Sequence, residues 1–191
     1  PAMHSSQNEQ DSRHYAVAAK VPMLEPADSS EAKEFIKLAF DLSEQFDTPM
    51  LMRICTRIAH CQSIVELNER EEHPAGTYER NPRKYTMAPA NAVTRHPIVE
   101  ERLQKLVDYA ETTPINRVEK ADSKVGILCA GACYQYVKEV FGDTVNVLKL
   151  GMVHPLPIRL IRDFAAALDE LYVIEELDGI IQQHCEHIGV A

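Results

Sequence analysis

Ten successive polar residues near the start of the chain hold its densest chemistry. Ser5, Ser6, Gln7, Asn8, Glu9, Gln10, Asp11, Ser12, Arg13 and His14 bring together hydroxyls, amides, carboxylates, a guanidinium and an imidazole. At a turn from strand to helix such groups can converge on one small polar ligand. At a frayed end of a domain they are only solvated, and composition alone leaves both readings open.

Other candidates are thinner. Glu175 and Glu176 end a predicted strand; a buried first member could act as an acid or base, yet negative charge before the next helix explains the pair more simply. Arg53 and Arg57 fall on one face of a predicted strand, where they could meet a carboxylate or an acidic partner surface. Gly131 and the amides after it sit at the carboxyl edge of a strand, a common anion position, though ordinary turn chemistry accounts for a lone glycine. His184, Cys185 and His187 lack a complementary ligand pair for zinc. His60 and Cys61 would point to opposite sides of an extended strand and cannot form a dyad there. The five cysteines, at 55, 61, 129, 133 and 185, contain no C-x-x-C pair, which excludes the usual thioredoxin and ferredoxin ligand runs.

Two sets of elements must position these groups. In the first, residues 21–24 read as a strand closed by Pro26. Asp28 then caps a helix whose Glu31 reaches back in capping-box fashion, with Phe35, Leu38, Ala39, Leu42 and Phe46 on one apolar face. A strand over 49–57 follows, implying a parallel crossover. Residues 69–97, rich in Glu, Arg, Pro and Asn, read as a linker, so a boundary is expected between a unit at 1–68 and a unit at 98–191. Pro97 is expected in the first turn of a helix through Glu111. In the second set, strands at 125–130, 145–150 and 171–175 alternate with helices at 132–141, 158–168 and 179–188, the pattern of an open parallel sheet. Gly151 to Pro157 reads as a loop. The fold class is therefore α/β.

Bulk properties narrow the partners. A net charge of -9 disfavours nucleic acid, because there is no basic surplus to release counterions. No apolar run approaches the ~20 residues of a membrane helix, and Pro1 does not open a secretory signal. A cytoplasmic protein is expected.

Three groups of residues carry a resemblance: Met3 with His4 and Ser5 through Arg13; Val21-Pro22-Met23-Leu24-Glu25-Pro26, with Asp28-Ser29, Glu31-Ala32-Lys33, Phe46-Asp47-Thr48-Pro49 and Arg53 to Arg57; and Val125-Gly126-Ile127, Gly131, Gly151, His154-Pro155-Leu156-Pro157 and Val173-Ile174-Glu175-Glu176. Together they resemble an internal fragment of the alpha subunits of indolepyruvate ferredoxin oxidoreductase, in the thiamine-diphosphate-dependent 2-oxoacid:ferredoxin oxidoreductase family. The resemblance implies part of a pyrimidine-binding-like sheet unit followed by a transketolase-C-terminal-like domain. It further implies oxidative decarboxylation of arylpyruvates to aryl-acetyl-coenzyme A, a beta subunit and ferredoxin as partners, and thiamine diphosphate, magnesium and iron–sulfur clusters in the parent enzyme. None of those cofactors is expected on this segment alone, and the segment alone is expected to be inactive. By resemblance His4, Ser5, Ser6, Gln7, Asn8, Glu9, Gln10, Asp11 and Arg13 lie near substrate and cofactor. The rival expectation is a non-catalytic α/β module that docks on a partner or binds a small anion.

Overall fold

The structure, a computed structural model, describes residues 10–70, 72 and 76–190. Its larger sheet has four strands, β3 (Arg117–Glu119), β5 (Asn146–Leu150), β4 (Val125–Ala130) and β7 (Glu170–Ile174), in that spatial order. β4 is parallel to both neighbours, pairing Ile127 with Val147 on one side and with Tyr172 on the other. The three parallel strands lie within one residue of the expected spans. The sheet also gains β3, antiparallel on β5, which was not expected.

Period-two alternation sorts the core. Leu128, Ala130, Leu148 and Leu150 face α7 (Ile158–Ala166) and α8 (Ile180–His187), meeting Ile161, Phe164, Ile181 and Cys185. Ile127, Cys129 and Val147 face the other way, onto Cys133 and Val137 of α6 (Cys133–Phe141). With helices on both faces, the central strands can be apolar throughout. The α/β class is as expected.

The first unit is built differently from its sequence pattern. β1 (Met23–Leu24) and β2 (Leu51–Met52) are parallel and joined by α2 (Ser29–Phe46), whose Phe35, Ala39 and Leu42 are buried. The strand expected over 49–57 stops early, and Thr56–His60 forms a helix, α3. β1 offers few partners: Leu51 N donates to Pro22 O and Arg53 N to Leu24 O, and Pro26 then ends the segment. Backbone with no further ladder to join satisfies itself as a helical turn. Arg53 and Arg57 therefore do not share a strand face; Arg53 is buried, while Arg57 reaches the Tyr136 hydroxyl and ring.

Two further expectations fail for non-local reasons. The loop after Gly151 contains β6 (Met152–His154), antiparallel to β1, so the smaller sheet runs β2-β1-β6 and draws in chain from the second half. Asn116 steers that excursion, its Oδ1 accepting from Gly151 N at 2.9 Å and Met152 N at 3.0 Å. A short helix, α4 (Pro82–Tyr85), and a long one, α5 (Pro89–Ala110), also occupy part of the expected linker. Pro89, not Pro97, takes the favoured first-turn place, and Pro97 lies inside the helix. Val93 and Pro97 are solvent-exposed, so the carbonyl that Pro97 leaves without its helical donor can be hydrated. Leu106 and Ala110 of α5 pack with Phe35, Leu42 and Met152.

An ionic tie joins α2 to the larger sheet. Asp28 Oδ1 accepts from Glu31 N at 2.8 Å, as the capping pattern predicts. Glu31, however, reaches past Asp28 to accept from Ala27 N at 2.7 Å, from Lys149 Nζ at 2.5 Å and from Arg117 Nη1 at 2.8 Å. The Lys149 side chain is fully buried, at 0% exposure. Burial opposes the charge on Glu31, but Lys149 and the hydrogen bonds from Arg117 and Lys149 outweigh it and hold the carboxyl below its usual range. Glu31→Gln should lower the unfolding free energy by about 3–5 kcal/mol, the cost of stranding a buried charge. Urea denaturation at neutral pH checks this; a loss under about 1 kcal/mol would show a tie no stronger than a surface ion pair.

Candidate functional site

The polar stretch of the sequence meets the sheet through Arg13. His4, Ser5, Ser6, Gln7, Asn8 and Glu9 lie outside the described residues. Gln10 is exposed, its Oε1 accepting from the Tyr15 hydroxyl at 3.4 Å. Asp11 and Arg13 are buried, Arg13 to 1% exposure at the start of α1 (Arg13–Ala19). Asp11 Oδ1 accepts from Arg13 N at 3.0 Å, taking the capping role that the Ser12 side chain does not fill.

All three guanidinium nitrogens of Arg13 donate within the protein. Nε serves Asp11 Oδ1 and Oδ2 at 3.0 and 3.1 Å, and Nη1 serves Glu175 Oε2 at 2.6 Å. Nη2 serves Asp11 Oδ2 at 2.6 Å and the carbonyls of Glu176 and Asp178 at 2.7 and 2.8 Å. Arg13, a candidate charged donor to substrate by its sequence position, is thus an anchor. Desolvation works against both charges, yet the hydrogen bonds and attraction between them lower the pKa of Asp11 and raise that of Arg13. Glu175 also accepts from Ile181 N and Gln182 N at 3.0 Å each, so the helix-N-terminus reading of that residue holds.

Beside the anchor lies a second buried group, in which Arg53 meets a carboxylate, one of its two sequence readings, while Glu25 had not been singled out as a site residue. Arg53 Nη1 donates to Glu25 Oε1, while Arg53 Nη2 stands 3.8 Å from Glu176 Oε2, outside hydrogen-bond reach. Among the described residues, the buried Glu25 Oε2, Arg53 Nε and Nη2, and Glu176 Oε2 have no hydrogen-bond partner. Gly131, at φ +53°, closes the group: a Cβ there would fall 2.2 Å from Glu25 Oε1. Its turn reading holds, and the anion position is faced by a carboxylate. Glu25, Arg53 and Glu176 follow the last residues of β1, β2 and β7 closely, and for Glu25 that place at a strand end was the available signal. Burial raises the pKa of Glu25, Arg53 and Arg13 oppose it, Glu176 adds to it, and the net shift is upward.

Other reactive groups are muted. Burial pushes the thiol of Cys129 up to about 12 and those of Cys133 and Cys185 up to about 11, so all three are protonated at neutral pH. Burial takes His154 down to about 4. Among the described residues no three His, Cys, Asp or Glu side chains gather to hold a metal. No described helix is long and apolar enough to cross a membrane.

Fold and site together define an α/β protein in which strand carboxyl ends from two sheets share a buried charged knot. No family model matches the chain. It is 41% identical to the indolepyruvate oxidoreductase subunit IorA of Archaeoglobus fulgidus, across 100% of this chain and 32% of that protein. It is 39% identical to the same subunit of Methanothermobacter marburgensis, across 96% of this chain and 31% of that protein, and 38% identical to that of Thermococcus kodakarensis, across 96% and 30%. The chain is thus related along its whole length to a segment of the indolepyruvate oxidoreductase IorA subunits, and spans about a third of the length of these relatives. A solved 2-oxoglutarate:ferredoxin oxidoreductase from Magnetococcus marinus, with 2-oxoglutarate, coenzyme A and succinyl-CoA bound, aligns with 53% of this chain and 19% of its own at 19% identity. The TM-score of that alignment is 0.39.

The buried knot has a pH signature. Because Glu25 titrates above its ordinary 4.5 when folded, the folded protein keeps a proton that the unfolded chain has lost once the pH passes 4.5. The contribution of Glu25 is therefore complete below pH 4.5 and declines as the pH rises toward the folded value. Glu25→Gln removes this dependence. The variant should match or exceed the wild type in urea midpoint at neutral pH, with the difference fading below pH 4.5. A wild-type advantage that grows with pH would show that Glu25 is stabilised as a carboxylate.

Proposed function

We propose that the chain is part of a cytoplasmic 2-oxoacid:ferredoxin oxidoreductase that oxidatively decarboxylates arylpyruvates, indolepyruvate among them, to aryl-acetyl-coenzyme A. The single observation that carries this reading is the similarity to indolepyruvate oxidoreductase subunits along the whole chain. A beta subunit and ferredoxin are the proposed partners, with coenzyme A and an arylpyruvate as substrates. Thiamine diphosphate with magnesium would supply the decarboxylation chemistry and iron–sulfur clusters the electron path, both held by other parts of the enzyme. A division into units at 1–68 and 98–191 remains part of the proposal.

His4, Ser5, Ser6, Gln7, Asn8, Glu9 and Gln10 are proposed to lie beside the substrate. An arylpyruvate presents a carboxylate and a ketone oxygen, and both need donors that stay in place while carbon dioxide leaves. Ser5, Ser6, Gln7 and Asn8 are neutral donors suited to that task. Glu9 would repel the substrate carboxylate and serves better to orient its neighbours. Asp11 and Arg13 are proposed to hold the stretch from behind, a reading supported by their buried pairing.

Ser6→Ala and Gln7→Ala in the full complex test the proposal. Each should reduce kcat/KM for indolepyruvate by about tenfold or more, the value of one missing transition-state hydrogen bond. Wild-type kcat/KM in both variants, with the complex intact, would reject the stretch as a substrate site.

A further inference from the structure

We infer that the larger sheet carries, where β4 and β5 begin, a binding site for an α-amino acid with a large apolar side chain. The site is a cavity of about 380 Å³ beside α7, within the range of about 300–1,000 Å³ that small-molecule sites occupy. It lies at the opposite end of the strands from Glu25, Arg53 and Glu176. The inference therefore goes beyond the reading proposed above and does not rest on it.

One helix supplies most of the apolar lining. Leu160, Phe164 and Leu168 recur at four-residue spacing along α7 and just past its end, and Val118 of β3 completes the set. Leu160, Leu168 and Val118 are only partly buried, so an apolar group entering the cavity removes further surface of theirs from water. The walls are set by the fold. A Cβ on Gly126 would fall 2.2 Å from Leu168 Cδ1, so the glycine lets Leu168 lie against the sheet. Asn146 fixes the loop from β3 to β4: its Oδ1 accepts from Ala121 N at 3.0 Å, and its Nδ2 donates to the carbonyls of Ser123 and Val125 at 2.8 and 3.2 Å. Asp169 N donates to Lys124 O at 2.8 Å, which joins that loop to the chain leaving α7.

Charge selects the ligand. Asn146 is engaged by the loop, and Ser123 Oγ accepts from Val125 N at 3.0 Å. Lys120 and Asp163 also line the cavity; both are exposed, and among the described residues neither enters an ion pair or a side-chain hydrogen bond. A cation and an anion beside one apolar cavity complement a zwitterion with an apolar body. The ligand carboxylate pairs with Lys120, its ammonium with Asp163, and its side chain fills the space among Leu160, Phe164 and Leu168. An apolar acid without the ammonium leaves Asp163 facing like charge, and an apolar amine does the same to Lys120.

Calorimetric titration of the full complex with L-phenylalanine and with L-leucine tests the site, and hydrogen exchange locates it. At least one of the two should give saturable heat, with slower exchange in the peptides covering 118–125 and 160–168. Lys120→Ala and Asp163→Asn, both at exposed positions, should each weaken binding by about tenfold or more, the value of a charge-assisted contact. The matching acid without the ammonium and the matching amine without the carboxylate should bind about tenfold more weakly than the amino acid. Absence of saturable heat from either amino acid up to about 10 mM overturns the inference. So does protection confined to other peptides, or binding that neither variant weakens. Acid or amine binding as tightly as the amino acid would show an apolar cleft without the proposed selection, and the inference would fall.

Discussion

A guanidinium can be taken out of water only where acceptors replace its hydration, since each buried ion otherwise loses several kcal/mol of solvation, on the order of the stability of a domain. Arg13 meets that requirement at 1% exposure with acceptors from two distant places, Asp11 beside it and the turn at 175–178. The need to match this charge determines where α1 sits. It also accounts for the left-handed Leu177, because that bend sets the two carbonyls that flank it toward one nitrogen.

Two other joints act in the same direction. Glu31 draws Lys149 and Arg117 of the larger sheet onto the first turn of α2, and β6 carries the chain from the larger sheet into an antiparallel pairing with β1. Apolar packing of Met152 and Leu106 with Phe35 fills the space between. Polar joints of this kind contribute specificity of placement more than net stability, because each carries a desolvation cost that an apolar contact would avoid. Their distribution is consistent: every one connects residues before 54 with residues after 105.

The carboxyl ends of β1, β2, β4 and β7 converge on the knot of Glu25, Arg53, Gly131, Glu175 and Glu176. Its unpartnered atoms contrast with Arg13, where every nitrogen is served. That difference separates an anchor from a group whose proton occupancy responds to pH. The buried thiols near the sheet follow the same logic as Glu25, remaining neutral because burial raises their pKa.

Local rules were enough for much of the chain. β4, β5 and β7 stand within a residue of their sequence spans, since each is a short, mainly apolar run bounded by turn residues. Asp28 and Gly142 terminate helices where cap chemistry requires, and the polarity of the stretch from Ser5 to His14 marked a place of interest without any structure. Tertiary structure alone decided what depends on distant partners. β3 and β6 are three residues each, too short for a periodic signal and defined only by the strands they join. The end of β2 was decided by the shortness of β1, and Pro97 entered a helix because its face is open to water. From sequence, Arg13 was open to both a ligand-donor and a solvated reading; only the fold, by bringing Glu175 and two carbonyls to it, made it an anchor. Propensity and capping are set by neighbours in sequence, whereas satisfaction of a buried charge is set by neighbours in space, and the sequence does not print their distances.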